Sequence, residues 1–536
     1  MTSIAEAADA YHDAQAAVRV GNRKAALSGA LMALALDPHT PAHRRIALDI
    51  LGVTSGYKTL PAPVMDALRI CAADAALDVQ PLSLVIKTIF EADPRFAAME
   101  RTLQGPATEI ESAIVAGQWN WFFDEPIFLA VLARATLISL RIERVLRAVR
   151  RHVLLHQTNV VPVTSFMTAL ALQLNNARFA WPTPSDERAA AATSSTPLIA
   201  SLYQPLQSFD DRVAASLPDI LRAARHATRA RIERARALPT LTEIDDQTSR
   251  LVREQYEGYP YPPWDALGDV QPTTLDQFLK MRLGDAHQHP LRPSILSAGC
   301  GTGRGAVLLA KTFPSAMITA VDLSRTSLAY AAMKAEQHEA ENITFGVGDI
   351  LKLPALNTHY DLIESSGVLH HMANPAAGLA ALASVLKPNG VMRIALYSQR
   401  GRSAVIAARA VLADQSVPDT DDGVRLAREV LLALPATHPA RGVVDTPEFF
   451  TLDGLHDLIF NVQESRFTPL GLRSLLASAG LDFLGFDIAD PSIRHRYTEM
   501  FPNEPTLRDL DKWDAFEQNH TSTFAEMYQF WCRRSP

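Results

Sequence analysis

Cysteine is nearly absent. Three are scattered along 536 residues, Cys71, Cys300 and Cys532, with no C-x-x-C pair and no His/Cys cluster at metal-ligand spacing. A disulfide framework and a structural zinc site are therefore excluded, no metal is expected, and a reducing cytoplasm is the expected setting. Long apolar runs are missing too: the most apolar stretches, such as Ile127 to Leu140, are too short to span a bilayer and carry charge. The opening segment MTSIAEAADAYHDAQAA lacks the basic start and apolar centre of a secretory signal. Nor is there an excess of positive charge. With 51 Lys and Arg against 58 Asp and Glu, the net charge of −7 gives no general attraction to nucleic acid. Neither a membrane nor a nucleic acid is an expected partner.

A composition of 48% hydrophobic and 20% charged residues is that of a globular protein, and the length implies two or three domains. Residues 1–237 read as helices almost throughout. Within them, Tyr11 to Pro38 resembles one tetratricopeptide unit: Ala14, Ala26 and Ala33 stand where two helices approach, Gly21-Asn22 turns, and Pro38 stops the second helix. No two further good copies follow, so a degenerate helical domain packed on something else is expected. Two helical stretches, 141–152 and 222–236, are rich in arginine. Their pattern leaves two readings open, an acidic partner or a solvated helix surface.

Residues 238–290 read as a linker and N-terminal lid segment, with Gly258-Tyr-Pro-Tyr-Pro-Pro-Trp264 unable to be helical. From 291 to 400 strands and helices alternate, with strands at 294–298, 317–323, 343–347, 360–365 and 390–397. That is the signature of a parallel, doubly wound sheet. Residues 401–468 are expected to form a helical insert that caps the substrate site. The remaining segment, 469–536, completes the sheet with strands at 483–488 and 527–532, the latter suited to a buried antiparallel position.

Gly299-x-Gly301-x-Gly303 between a strand and a helix is a nucleotide-binding turn, with Cys300 inside it. Gly301-x-Gly303-x-x-Ala306 also fits a dinucleotide fingerprint, and Asp322 at the end of the second strand suits either kind of cofactor. The third and fourth strands separate the two. Gly348-Asp349-Ile350 closes the third strand, where a carboxylate can accept an adenine amino group and Leu323 and Ile350 can sandwich the ring. The fourth strand then runs from Asp361 through Glu364-Ser365 to His370-His371, and Leu386-Lys-Pro-Asn-Gly390 introduces the fifth.

On these residues, 295–397 resembles the class I S-adenosylmethionine-dependent methyltransferases of the ubiquinone-methyltransferase-like group. The resemblance implies S-adenosyl-L-methionine as cofactor and an α/β fold: an all-helical N-terminal domain, then a Rossmann-like seven-stranded domain whose final strand is antiparallel. It further implies that Gly299, Gly301 and Gly303 approach the methionyl part, Asp322 binds ribose, Asp349 binds adenine, and Glu364 and Ser365 lie beside the sulfonium. Ser297 departs from the family, which has an acid two residues before the first glycine. The chain is also similar to bacterial methyltransferases with a tetratricopeptide-like N-terminus. The shared features are Gln255-Tyr256-Glu257, Pro260-Tyr261-Pro262, the 461–468 segment, Trp513 to Glu517 and Met527-Tyr-Gln-Phe-Trp531.

The reaction expected is direct methyl transfer to an oxygen, nitrogen or carbon acceptor. A protein held by the helical domain is favoured over a small metabolite, because helical hairpins present concave surfaces. His370 and His371 are the candidates for a general base, or else they pack and cap the next helix. Tyr256, Tyr259 and Tyr261, with Trp264, form either an aromatic lid or a seal between domains. Gln463, Glu464, Arg466, Trp513 and Glu517, in inserts beyond strand ends, are candidates for the acceptor pocket. Two alternatives remain: an inactive methyltransferase-fold adaptor working through its helical domain, and a nicotinamide-dependent oxidoreductase.

Overall fold

Small side chains decide the start of the molecule. Helices Thr2–Arg19 and Arg23–Leu36 form a hairpin. At Gly29 they approach so closely that a side chain there would meet the carbonyl oxygen of Ala10 at 2.9 Å. In a computed structural model, the protein is described over residues 2–54, 57–156, 164–267, 270–284, 288–488, 490–524 and 527–535. Linker positions 268, 269 and 285–287 and insert positions 489, 525 and 526 lie outside the described residues.

Helices follow one another from Pro41–Leu51 to Asp219–Ala237 around a single core. Its centre is aromatic, with Phe123 and Phe166 4.5 Å apart and Phe122 and Phe128 4.7 Å apart between ring centres. Several arginines of the two basic helices hold acids of the chain itself. Arg141 reaches Glu100 at 2.5 Å, Arg150 reaches Glu187 at 3.2 Å, and Arg225 and Arg229 share Asp211 at 2.7 and 2.8 Å. Arg234 crosses to Glu336 of the sheet domain at 2.5 Å.

The sheet has seven strands: β1 (Ser294–Ala298), β2 (Met317–Asp322), β3 (Ile343–Val347), β4 (Tyr360–Ser366), β5 (Leu386–Tyr397), β6 (Leu481–Phe486) and β7 (Met527–Arg534). Their order is β3-β2-β1-β4-β5-β7-β6. The first five are parallel, and β7 runs antiparallel to both β5 and β6, as the family resemblance implies. β5 starts at Leu386 rather than Gly390. Leu386 pairs with Tyr360, and a register shift before Leu362 accommodates the Lys-Pro-Asn segment, whose proline has no N–H for the ladder. Strand order reverses between β1 and β4, which opens a crevice beyond their C-terminal ends.

Residues 401–468, the cap, supply the helices Ser403–Asp414, Asp421–Ala433 and Leu452–Ile459 and reach that crevice through Arg402, Glu448, Asp457 and Leu458. The cap does not pack alone. Ala180 of the helical domain is part of its core, and Ile138 and Leu140 pack against it. Polar contacts run alongside. Arg178 reaches Asp453 at 2.7 Å, Arg425 donates to the Phe179 carbonyl at 2.8 Å, and Leu452 N–H donates to the Ala177 carbonyl at 3.1 Å. Deepest is Arg428, whose side chain is 1% exposed. It bonds Glu143 at 2.8 Å and donates to the Phe449 and Ala180 carbonyls at 3.0 and 3.3 Å.

A buried ion pair adds little beyond what an apolar pair would, but removing one partner strands the other's charge. Arg428→Met should therefore cost about 3–5 kcal/mol in denaturant unfolding. Pairing it with Glu143→Met should recover most of that loss. A double-variant loss equal to the sum of the two single losses would show that the charges are not coupled.

Candidate active site

The turn after β1 is shaped by what its glycines must avoid. Gly299 has φ +71° and Gly303 φ +84°. A side-chain carbon at Gly299 would lie 2.4 Å from Val368, and one at Gly303 would lie 2.3 Å from Ala331. Only glycine takes such conformations without a steric penalty. The turn is fastened to β2: Gly299 and Cys300 N–H donate to the Val321 carbonyl, and Gly301 N–H donates to Asp322 Oδ2 at 2.7 Å.

Beyond it lies a cavity of about 430 Å³. Gly299, Cys300, Gly301, Asp322, Leu323, Asp349 and Ile350 all line its sheet end. Burial raises the Asp322 carboxyl, against the N–H groups of Ser324 and Gly301 that favour its charge. Asp349 is 1% exposed. Its Oδ1 accepts the Leu351 N–H at 2.9 Å, while Oδ2 is buried with no partner. A buried acceptor without a donor costs about 1–3 kcal/mol, so this atom calls for an N–H from a ligand. An adenosyl group fits the set: its amino group would serve Asp349, Leu323 and Ile350 are apolar neighbours for the ring, and Asp322 can accept hydroxyls.

Three residues expected at the cofactor are elsewhere. Gly303 packs on Ala331, in the helix Arg325–Gln337, and does not line the cavity. Glu364 is paired in register with Ser297. Its carboxylate lies 3.4 Å from the Ser297 hydroxyl and 3.6 Å from Arg393, turned toward the helix Arg304–Thr312. The acid missing at Ser297 thus stands one strand over. Ser365 is buried with its hydroxyl unpartnered, and its neighbours Ser366 and Gly367 line the cavity instead.

The helix Gln247–Gly258 and the strap after it close one side. Tyr256 and Tyr261 line the cavity. Tyr259 does not: it stacks on His456 at 3.9 Å and donates to Asp421 at 2.6 Å. Trp264 packs into the core of the sheet domain, its indole N–H donating to the Thr302 carbonyl at 2.9 Å.

Opposite the sheet end, the cap contributes Glu448, Asp457 and Leu458, and β5 ends there at Tyr397. The Tyr256 hydroxyl donates to Asp457 at 2.7 Å, and the Tyr261 hydroxyl to Glu448 at 2.8 Å. Burial, then the adjacent carboxylate, pushes both phenols well above their ordinary value, so both remain donors. The sequence reading missed Glu448 and Asp457. No local pattern marks either of them: every residue of the helix Leu452–Ile459, Asp457 included, is buried by tertiary packing.

His370 and His371 are both buried, and burial lowers both pKa values, so the rings are neutral near pH 7. The Gln463 carbonyl, 2.8 Å from His371 Nδ1, can only accept, which puts the proton on Nδ1. His371 Nε2 then accepts from His370 Nε2 at 3.1 Å. His371 lines the cavity, but its lone pair is engaged; His370 stacks on Tyr397 at 3.7 Å. The general-base reading has no free lone pair at the cavity.

The five acceptor-pocket candidates do not line the cavity. Gln463 contributes only the carbonyl that fixes His371. Glu464 is buried against Arg402 at 2.7 Å and also holds Arg466 at 3.2 Å. Trp513 stacks on Tyr497 in the core, and Glu517 accepts from Ser398, Arg400 and Tyr528. Among the described residues, no group of three or more His, Cys, Asp or Glu could hold a metal ion, and no helix is long and apolar enough to cross a membrane.

A family model for a methyltransferase domain matches residues 293–422. An uncharacterized protein of Synechococcus sp. is 34% identical over 292 residues, 51% of this chain and 68% of that protein. The malonyl-[acyl-carrier protein] O-methyltransferase of Halalkalibacterium halodurans is 37% identical over 127 residues, 23% of this chain and 45% of that enzyme. The solved structure of PKMT2 from Rickettsia typhi in complex with AdoHcy is 18% identical, with 51% of this chain and 55% of that one covered and a TM-score of 0.39. The chain spans about half the length of the malonyl-[acyl-carrier protein] methyltransferases it matches. These matches lend no support to the oxidoreductase or inactive-adaptor readings. The chain belongs to the class I S-adenosylmethionine-dependent methyltransferases, with S-adenosylmethionine as its cofactor.

Proposed function

We propose that the cavity holds S-adenosylmethionine with its adenosyl end between Asp322 and Asp349, and that the acceptor enters beneath the cap. The observation that carries this reading is the unpaired Asp349 Oδ2, buried at the sheet end of the cavity. The cofactor supplies a methyl group already activated on a sulfonium, so the protein's share is positioning and the exclusion of water. The glycine turn lets the ligand lie against bare backbone, Tyr256 and Tyr261 wall the cavity from the strap side, and Glu448 and Asp457 face it from the cap.

The family match ends at residue 422, ahead of Glu448 and Asp457. The likeness therefore supports the cofactor and says nothing of the acceptor named for the relatives. A protein acceptor remains the preferred reading, because the helical domain shares the cap's core and helical hairpins commonly present concave binding surfaces. Methyl label transferred into a fractionated lysate should appear in the protein fraction, and label in lipid, RNA or small molecules would overturn that preference.

Asp349→Asn keeps an oxygen for the Leu351 N–H and turns the orphaned acceptor into a donor. S-adenosylhomocysteine should then bind about tenfold to a hundredfold more weakly by calorimetry, with the melting temperature of the free protein nearly unchanged. Unchanged affinity would remove Asp349 from the site. The buried histidines set a second expectation. His370 stays neutral in the fold, while the unfolded chain takes up a proton near pH 6.5. Stability should thus fall as pH drops below about 6.5. His370→Phe, which keeps the stack on Tyr397, should flatten that slope in urea titrations at pH 5 and 7.

A further inference from the structure

We infer that the methyl acceptor is an aliphatic amine, received as its ammonium ion by Asp457 and Glu448 beneath the cap. This rests on the reading of the cavity as the methyl-transfer site and names the class of its second substrate.

The charges around the cavity decide against other acceptors. Four carboxylates line it, Asp322, Asp349, Glu448 and Asp457, against one arginine. That arginine, Arg402, is 0% exposed and committed: it donates to Glu464 at 2.7 Å and to the Leu458 carbonyl at 3.2 Å, and its guanidinium lies 3.9 Å over the Tyr397 ring. His371 is neutral. The two carboxylates of the cap each receive one tyrosine hydroxyl, from Tyr256 and Tyr261. A carboxylate has acceptor capacity for more than one donor, so each keeps room for an N–H. Asp457 lies close enough to both tyrosines and to His371 to act electrostatically on all three, which makes it the hub of this end.

An incoming carboxylate would be a further negative charge beside Glu448 and Asp457, in a site where little water screens them. A hydroxyl would gain a hydrogen bond but no ionic attraction. An ammonium satisfies both carboxylates, and tyrosine rings add to its retention. Transfer needs the neutral amine. One ammonium proton leaves to solvent while the two carboxylates hold the nitrogen in place, and the nitrogen lone pair forms the new N–CH₃ bond. The S–CH₃ bond breaks with its electron pair left on sulfur, which becomes a thioether. The methylated ammonium carries the positive charge away.

The test uses the full chain and two readouts. Sinefungin carries a C–NH₃⁺ group in place of the sulfonium and its methyl, so it presents an ammonium to the cap end. It should bind at least tenfold more tightly than S-adenosylhomocysteine. In Asp457→Asn and in Glu448→Gln the ratio of the two affinities, both measured in the same variant, should shrink to about twofold. Alongside, n-butylamine, n-butanol and butyrate are compared as acceptors by release of S-adenosylhomocysteine, with n-butylamine expected to lead. Equal binding of sinefungin and S-adenosylhomocysteine, or preferential methylation of the alcohol or the carboxylate, overturns the amine. If no probe is methylated, or a variant fails to fold, the sinefungin preference of the parent protein decides. Failure to bind S-adenosylhomocysteine at all would instead bring down the reading of the cavity itself.

Discussion

Three consecutive side chains hold the two walls of the active site in place. Gln255 donates to Asn461 at 2.7 Å, and Tyr256 donates to Asp457 at 2.7 Å, both on the cap. Glu257 turns to the sheet domain, where its carboxylate accepts the N–H groups of Arg325 and Thr326 at 2.6 and 3.1 Å. Those are free N–H groups in the first turn of the helix after β2, where a carboxylate also meets the positive end of the helix dipole. One helix therefore sets the gap between the residue that would grip ribose and the residues that would face the acceptor. A small tilt of it would change both sides together.

The cap has a second support on its far face. Its core is completed by Ala180, and Arg428 draws Glu143, the Phe449 carbonyl and the Ala180 carbonyl to one point. Glu448 immediately precedes Phe449, so the backbone that carries a cavity carboxylate is fixed by a pair reaching into the helical domain. Distance from the chemistry does not make that domain a bystander. It shapes the room in which the acceptor sits.

Legibility in the sequence obeys a physical rule. Gly299, Asp322 and Asp349 were legible because a tight turn and strand ends demand particular residues at short, fixed offsets. The cap carboxylates were not, since Glu448 and Asp457 reach the cavity only through tertiary packing. The same rule explains the misreadings. Trp513 and Glu517 looked like pocket residues because an aromatic and an acid in an insert suggest a surface cleft. In the fold Glu517 is a buried counter-ion for Arg400, and Trp513 fills the core beside it. Gln255-Tyr256-Glu257 was visible as a motif, but only its tyrosine suggested a role. The partners of the other two are a cap loop and a helix terminus that no local pattern identifies.

The placement of β7 bears on how the protein is made. β6 pairs only with β7, and β7 also covers the edge of β5, so neither earlier strand has a complete set of partners until residues 527–534 exist. Met527, the first residue of that strand, lines the cavity. A growing chain can thus fold its helical half and the five parallel strands while the chamber still lacks one wall. Synthesis of the final strand closes the sheet and the chamber in one step, so an unfinished chain would hold no complete site.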